Sequence, residues 1–132
     1  KNFWQGFICL KHAKSKSKIL FHSFAIWILY FLMLYFCFFA FDYLCELDIL
    51  AALMLFVAGS LGMLVPSPNG MGSYHFMIIQ TLLLYGISTE EAASFALVAH
   101  GLQTALIIVF GVASTIMIPI FNKKSDAGKH EK

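Results

Sequence analysis

Apolar residues fill four long stretches of the chain, and the charged residues gather in the breaks between them and at the two ends. The stretches are residues 19–41, 49–65, 73–87 and 90–121. The breaks read "KHAKSKSK" at 11–18, "DYLCELD" at 42–48, "PSPNGMG" at 66–72 and "GISTEEA" around 86–92, with "NKKSDAGKHEK" closing the chain. Apolar runs of this length predict helices. Residues 19–41 would make a helix of about 34 Å, enough to cross a hydrocarbon core of about 30 Å. Aromatic residues lie on nearly every side of it, so no single face stands out. Residues 49–65 and 73–87 hold 17 and 15 positions, at or below the roughly 20 that a crossing needs. Residues 90–121 would reach nearly 48 Å, so that helix must tilt, kink or begin in the interface.

Local signals mark the ends. Gly86 reads as a helix terminator, and Ser88 with Glu91 has the S-x-x-E spacing of a capping box. Pro119 and the lysines after it are expected to close the last helix, leaving 122–132 as a disordered cytoplasmic tail. Ala58 and Gly62 form a small-xxx-small pair in a segment rich in small residues, which lets helix backbones approach closely. At the other end, Phe3, Trp4, Phe7 and Ile8 share one helical face, which suits an interfacial helix, or the end of a preceding membrane span, ahead of the basic run.

Composition turns this pattern into a class. The 132 residues are 60% hydrophobic and 12% charged, against about 45–50% and about 25% in soluble domains. All nine cationic residues are lysines, and none lies between Ile19 and Asn122. A soluble fold of this size could not hide so much apolar surface. The predicted fold is all-α: a polytopic transmembrane helix bundle. The net charge of +2 is therefore topological information and no sign of nucleic-acid binding. Lys-rich ends belong in the cytoplasm, and the lysine-free acidic turns at 42–48 and at Glu90 and Glu91 fit the opposite side. Between residues 18 and 123 the number of crossings is then even. Cys9, Cys37 and Cys45 have no metal-binding or redox spacing.

Two topologies satisfy that parity. Four helices cross fully and "PSPNGMG" is a cytoplasmic turn, or residues 49–65 and 73–87 are half-helices that meet inside the membrane as a re-entrant hairpin around 66–72. The loop has no lysine, and the two helices are short; both points favour the second. Non-helical backbone at depth is tolerated only where protein buries it or a wet cavity adjoins it.

A broken helix in that position has chemical consequences. The first turn of the helix after Gly70 has N–H groups without intrahelical acceptors and a partial positive charge. Gly70 and Gly72 allow close approach to the backbone, and Ser67, Asn69 and Ser73 add polar side chains. Together these suit a phosphate or carboxylate. His75, one turn on, is either a polar group beside such a site or an interhelical hydrogen-bonder. His100, Gln103 and Thr104 share a face of the last helix, which either packs closely or lines a cavity. A metal shared by His75 and His100 lacks an evident third ligand, no cofactor is expected, and no nucleophile–base pair is visible. The remaining acidic residues, Asp42, Glu46 and Asp48 among them, read as solvated loop charges.

The stretch "LVPSPNGMGSYHFMIIQTLLLYGISTEEAASFALVAHGLQTALIIVFGVAS" resembles the last portion of the lysylphosphatidylglycerol synthase transmembrane-domain family. These are flippase-like integral membrane proteins with a Pro-x-Pro-Gly-Gly-x-Gly loop followed by a helix. The counterpart here is Pro66, Pro68, Asn69, Gly70 and Gly72, and the preceding "GFICLKHAKSKSK" and "AIWILYFLMLYFCFFAF" are similar too. Asn69 replaces the first glycine, and His75 stands where many members carry Glu. The resemblance implies inverted halves with re-entrant hairpins in a bacterial cytoplasmic membrane. It implies movement of an anionic phospho- or glycolipid between leaflets, or partnership with an enzyme that modifies such a lipid. Partners would be membrane lipids, an N-terminal half that lies outside this chain, and further copies if it oligomerises.

Overall fold

The structure is a computed structural model, and it describes residues 15–127. The interfacial helix expected at 2–10 and the last residues of the tail, 128–132, lie outside the described residues. Among the described residues there are four helices: α1 (Lys16–Phe38), α2 (Ile49–Met63), α3 (Ser73–Leu84) and α4 (Thr89–Ala127). Short 3-10 turns occupy Asp42–Leu44 and Pro68–Gly70. Among the described residues there is no β-strand, and the all-α class predicted from the hydrophobic pattern is the class observed. The chain forms two compact units, residues 1–53 and 54–132, with the boundary inside α2.

In the first unit, α1 runs 23 residues without a Gly or Pro. Phe31 stacks on Tyr35 with ring centres 6.2 Å apart, and Tyr35 meets Phe39 edge-on at 5.4 Å. These are the i, i+4 neighbours a helix brings together. Only Leu34, Cys37 and Phe38 of α1 are buried, so most of its apolar surface faces outward. The helix stops at Phe38 because the chain tightens into 3-10 geometry, with Phe41 N–H donating to the Phe38 carbonyl at 3.0 Å. Asp48 is more than a solvated charge. Its Oδ1 accepts the Ala51 N–H at 2.9 Å, which caps the start of α2.

In the second unit, the end of α2 comes into close contact with the start of α3 across the 64–72 loop. This closeness depends on Gly62. A β-carbon there would sit 2.8 Å from the Ser73 carbonyl oxygen and 2.9 Å from the Tyr74 Cα, and backbone atoms cannot step aside. One turn back, a β-carbon on Gly59 would meet the Tyr74 ring at 2.7 Å. The small-residue contact expected from Ala58 and Gly62 is therefore made by Gly59 and Gly62. A spacing of three keeps both glycines against Tyr74, while Ala58 turns partly away and is only half-buried.

The next connection is tight. Gly86 adopts φ 81°, and the Ile87 N–H reaches back to the Leu82 carbonyl at 3.2 Å, the six-to-one bond of a Schellman ending. The Ser88 Oγ accepts the Glu91 N–H at 3.3 Å while Glu91 Oε2 accepts the Ser88 N–H at 3.2 Å, the reciprocal pair that S-x-x-E predicts. Along α3, Tyr74, Ile78 and Leu82 are buried; along α4, Ala92, Phe95, Ala96, Ala99 and His100 are. Both sets follow helical spacing, and the alanines let α4 come close. Pro119 does not close α4, contrary to the expectation from the sequence, because the helix continues to Ala127. A proline deletes one backbone hydrogen bond. The carbonyls of the last turn are left over wherever a helix ends, so that one missing bond does not by itself stop α4.

Candidate functional site

The 64–72 loop owes its shape to residues that tolerate left-handed backbone. Asn69 has φ 54° and ψ 28°, the one non-glycine residue with positive φ among those described, and Gly70 follows at φ 68°. Gly72, at φ 87° and ψ −57°, is the N-cap of α3. The backbone is largely self-satisfied: Gly70 N–H donates to the Ser67 carbonyl at 3.2 Å and Met71 N–H to the Pro68 carbonyl at 3.0 Å.

The polar side chains divide into two groups. Ser73 Oγ donates to the Gly70 carbonyl at 3.2 Å and lies 3.0 Å from Ser67 Oγ. The Ser67 proton then goes to Ser73 Oγ, a shorter contact than its 3.4 Å distance to the Val65 carbonyl. Both hydroxyl hydrogens are thus used inside the loop and are not offered to an incoming anion. Asn69 Nδ2 donates to Thr104 Oγ1 at 3.0 Å, tying the loop to α4. Three predicted residues, Ser67, Asn69 and Ser73, therefore build the site's frame.

The second group is aromatic. His75 is the third residue of α3, and its Nδ1 accepts the Gly72 N–H over a long 3.4 Å, in the place where a capping-box Glu or Gln would reach back. His100 lies against it with ring centres 4.9 Å apart, and Tyr74 lies 4.9 Å from His100 and 5.8 Å from His75. The three rings form one cluster on the first turn of α3. His100 is only 6% exposed, and neither of its ring nitrogens has a hydrogen-bond partner among the described residues. A buried polar atom left this way costs about 1–3 kcal/mol. Gln103 is half-buried one turn further along α4 and joins neither the loop nor the rings.

The arrangement thus brings together Asn69, Gly72, Ser73, His75 and His100, leaves Gln103 aside, and adds Tyr74 and Thr104. Thr104 was legible as a member of the His100 face. Tyr74 carried no signal, since an aromatic residue at a helix start is ordinary and its role depends on Gly59 and Gly62. Two histidines do not make a metal centre, and no cluster of three His, Cys, Asp or Glu suited to a metal exists among the described residues. A shallow depression on α4, lined by Ile107, Ile108, Gly111, Val112, Thr115 and Ile116, offers no chemistry. Its one hydroxyl, on Thr115, is bonded back to the Gly111 carbonyl at 2.8 Å.

Among the described residues, two helices are long and apolar enough to cross a membrane, Lys16–Phe38 and the Thr89–Pro119 part of α4. No curated protein and no solved structure matches the chain. A family model described as the lysylphosphatidylglycerol synthase TM region matches residues 6–111, a range that holds the loop, the ring cluster and Thr104. A match over most of the chain, on a protein with two such helices, makes this an integral membrane protein that belongs to the lysylphosphatidylglycerol synthase transmembrane-region family.

Proposed function

We propose that this protein handles an anionic phospholipid or glycolipid and moves it across the bilayer, holding the headgroup phosphate at the first turn of α3. One observation carries the reading: His100, buried and without a partner for either ring nitrogen, lies against Tyr74 and His75 at that helix start. The positive end of a helix favours an anion by about 0.3–2 kcal/mol, so a second donor is needed, and the His100 imidazole supplies it. The lengths of α2 and α3, 15 and 12 residues, or about 22 and 18 Å, support a re-entrant hairpin with this site inside the membrane. Both Lys-rich ends would then be cytoplasmic, in a bacterial inner membrane, with α1 and α4 as the full crossings.

The test is transbilayer movement of a fluorescent phosphatidylglycerol in liposomes containing the purified chain. Movement should exceed that in empty vesicles, and His100→Leu, which keeps the volume but removes both nitrogens, should slow it at least about tenfold, the kinetic equivalent of about 1.4 kcal/mol. Movement no faster than in empty vesicles, together with loss of a modified lipid from cells lacking the protein, would replace transport with partnership in a lipid-modifying enzyme.

A further inference from the structure

Among the described residues, the second unit carries no fixed charge from Met54 to Ile118 apart from Glu90 and Glu91. The helix that holds His100 has no other titratable side chain from Ala92 to Ile118, α2 has none from Met54 to Met63, and the 64–72 loop has none. From α3 come only Tyr74 and His75, whose rings touch His100. The nearest carboxylate on its own helix, Glu91, is nine positions back, roughly 14 Å along the axis. The charge that the fold does supply nearby is the positive end of α3.

Neither protonation state of His100 is satisfied by such surroundings. As a neutral ring it has one donor and one acceptor, and both lack partners among the described residues. As a cation it has two donors and a full charge, next to another imidazole and a positive helix end, without a counter-ion. An anion resolves the second case, because it accepts from the imidazolium and is favoured by the same helix end. His75, unlike His100, has a ring nitrogen engaged within the fold. Its Nδ1 already accepts the Gly72 N–H, and two imidazolium rings with centres 4.9 Å apart would repel.

We propose that the site binds a phosphate ester together with one proton, taken from water onto a ring nitrogen of His100, so that ligand and counter-charge enter as a neutral pair. This deepens the headgroup reading above and rests on it. The balance is simple: one proton leaves water as the anion binds and returns when it departs, with no covalent bond in the ligand made or broken. Affinity must then strengthen as pH falls and weaken as pH rises, by about tenfold per pH unit for one linked proton.

The experiment uses the full chain in phosphatidylcholine nanodiscs. It is titrated calorimetrically between about pH 5.5 and 8.5, the range in which imidazole changes charge. One probe is short-chain phosphatidylglycerol, and the other is glycerophosphoglycerol, the same diester without acyl chains. Repeating the titration in buffers of different ionisation enthalpy counts the protons taken up. The expected result is about one proton per ligand on the unaltered protein. His100→Gln should abolish both the uptake and the pH slope, and His75→Gln, whose amide oxygen can still accept the Gly72 N–H, should keep them. Proton-linked binding of the lipid alone identifies a membrane lipid as the source, and equal linkage for both probes identifies the bare headgroup; either supports the proposal. Affinity independent of pH, or unchanged uptake in His100→Gln, overturns it and leaves the headgroup reading standing. No binding of either probe at any pH overturns both.

Discussion

Asn69 shows how one side chain can serve two purposes. It takes the left-handed conformation that the loop requires, and its amide holds Thr104 at 3.0 Å. Left-handed backbone costs a residue with a β-carbon roughly 1–2 kcal/mol, and an interhelical hydrogen bond in a membrane contributes about 0.6 kcal/mol. Asn69→Gly should therefore leave stability unchanged or slightly raised, Thr104→Val should lower it by about 0.6 kcal/mol, and Asn69→Val should lower it by more than both together. Thermal unfolding in detergent would rank them, and a strongly destabilised Asn69→Gly would contradict this account. The unusual amino acids of the loop were readable from the chain, because Asn and Gly are the residues that fit positive φ. The serines were not. Whether a hydroxyl faces a ligand or closes a turn depends on six residues folding back on themselves, and Ser67 and Ser73 find each other. His75 occupies the N3 position, where a capping-box Glu would reach back. Its Nδ1 accepts the same N-cap N–H that a Glu carboxylate would, so capping needs no carboxylate there.

At the level of elements, the close contact of α2 and α3 depends on the absence of one side chain. Gly62→Ala would press a methyl group onto the Ser73 carbonyl and the Tyr74 backbone, and overpacking of this kind costs about 1–3 kcal/mol. Detergent unfolding should show a loss in that range, with the same variant disturbing the ring cluster because Tyr74 is displaced. Gly72→Ala has open space around it, so its loss, about 1–2 kcal/mol, would come from backbone strain alone. A neutral Gly62→Ala would mean that the two helices are further apart than described. Helix existence was plain from the apolar runs. Helix ends were plain only where chemistry is local, as at Gly86 and at Ser88 with Glu91. Pro119 misled because a proline removes one backbone hydrogen bond, and the helix keeps the others on either side of it.

At the level of the whole molecule, the charge map makes a topological prediction. In a chain with its native cysteines changed to Ala, Met71→Cys should react with a membrane-impermeant thiol reagent far more slowly from the cytoplasmic side than Lys123→Cys does. Met71 is exposed on the protein itself, so slow reaction would come from its depth in lipid. Ready labelling from the cytoplasm would mean that α2 and α3 cross as an ordinary pair. The distribution of lysines and apolar runs determined by itself that this is an α-helical membrane protein, because no aqueous fold can bury such a chain and a membrane-spanning segment must satisfy its backbone internally. The sequence also marked the loop, since positive φ selects its residues. Only the tertiary structure decided that His100, 25 positions away in the chain, would rest on His75 with both nitrogens uncommitted. Such a meeting depends on two glycines admitting Tyr74 and on a tight turn at Gly86 returning α4 along α3, and no local pattern encodes the distance between residues on different helices.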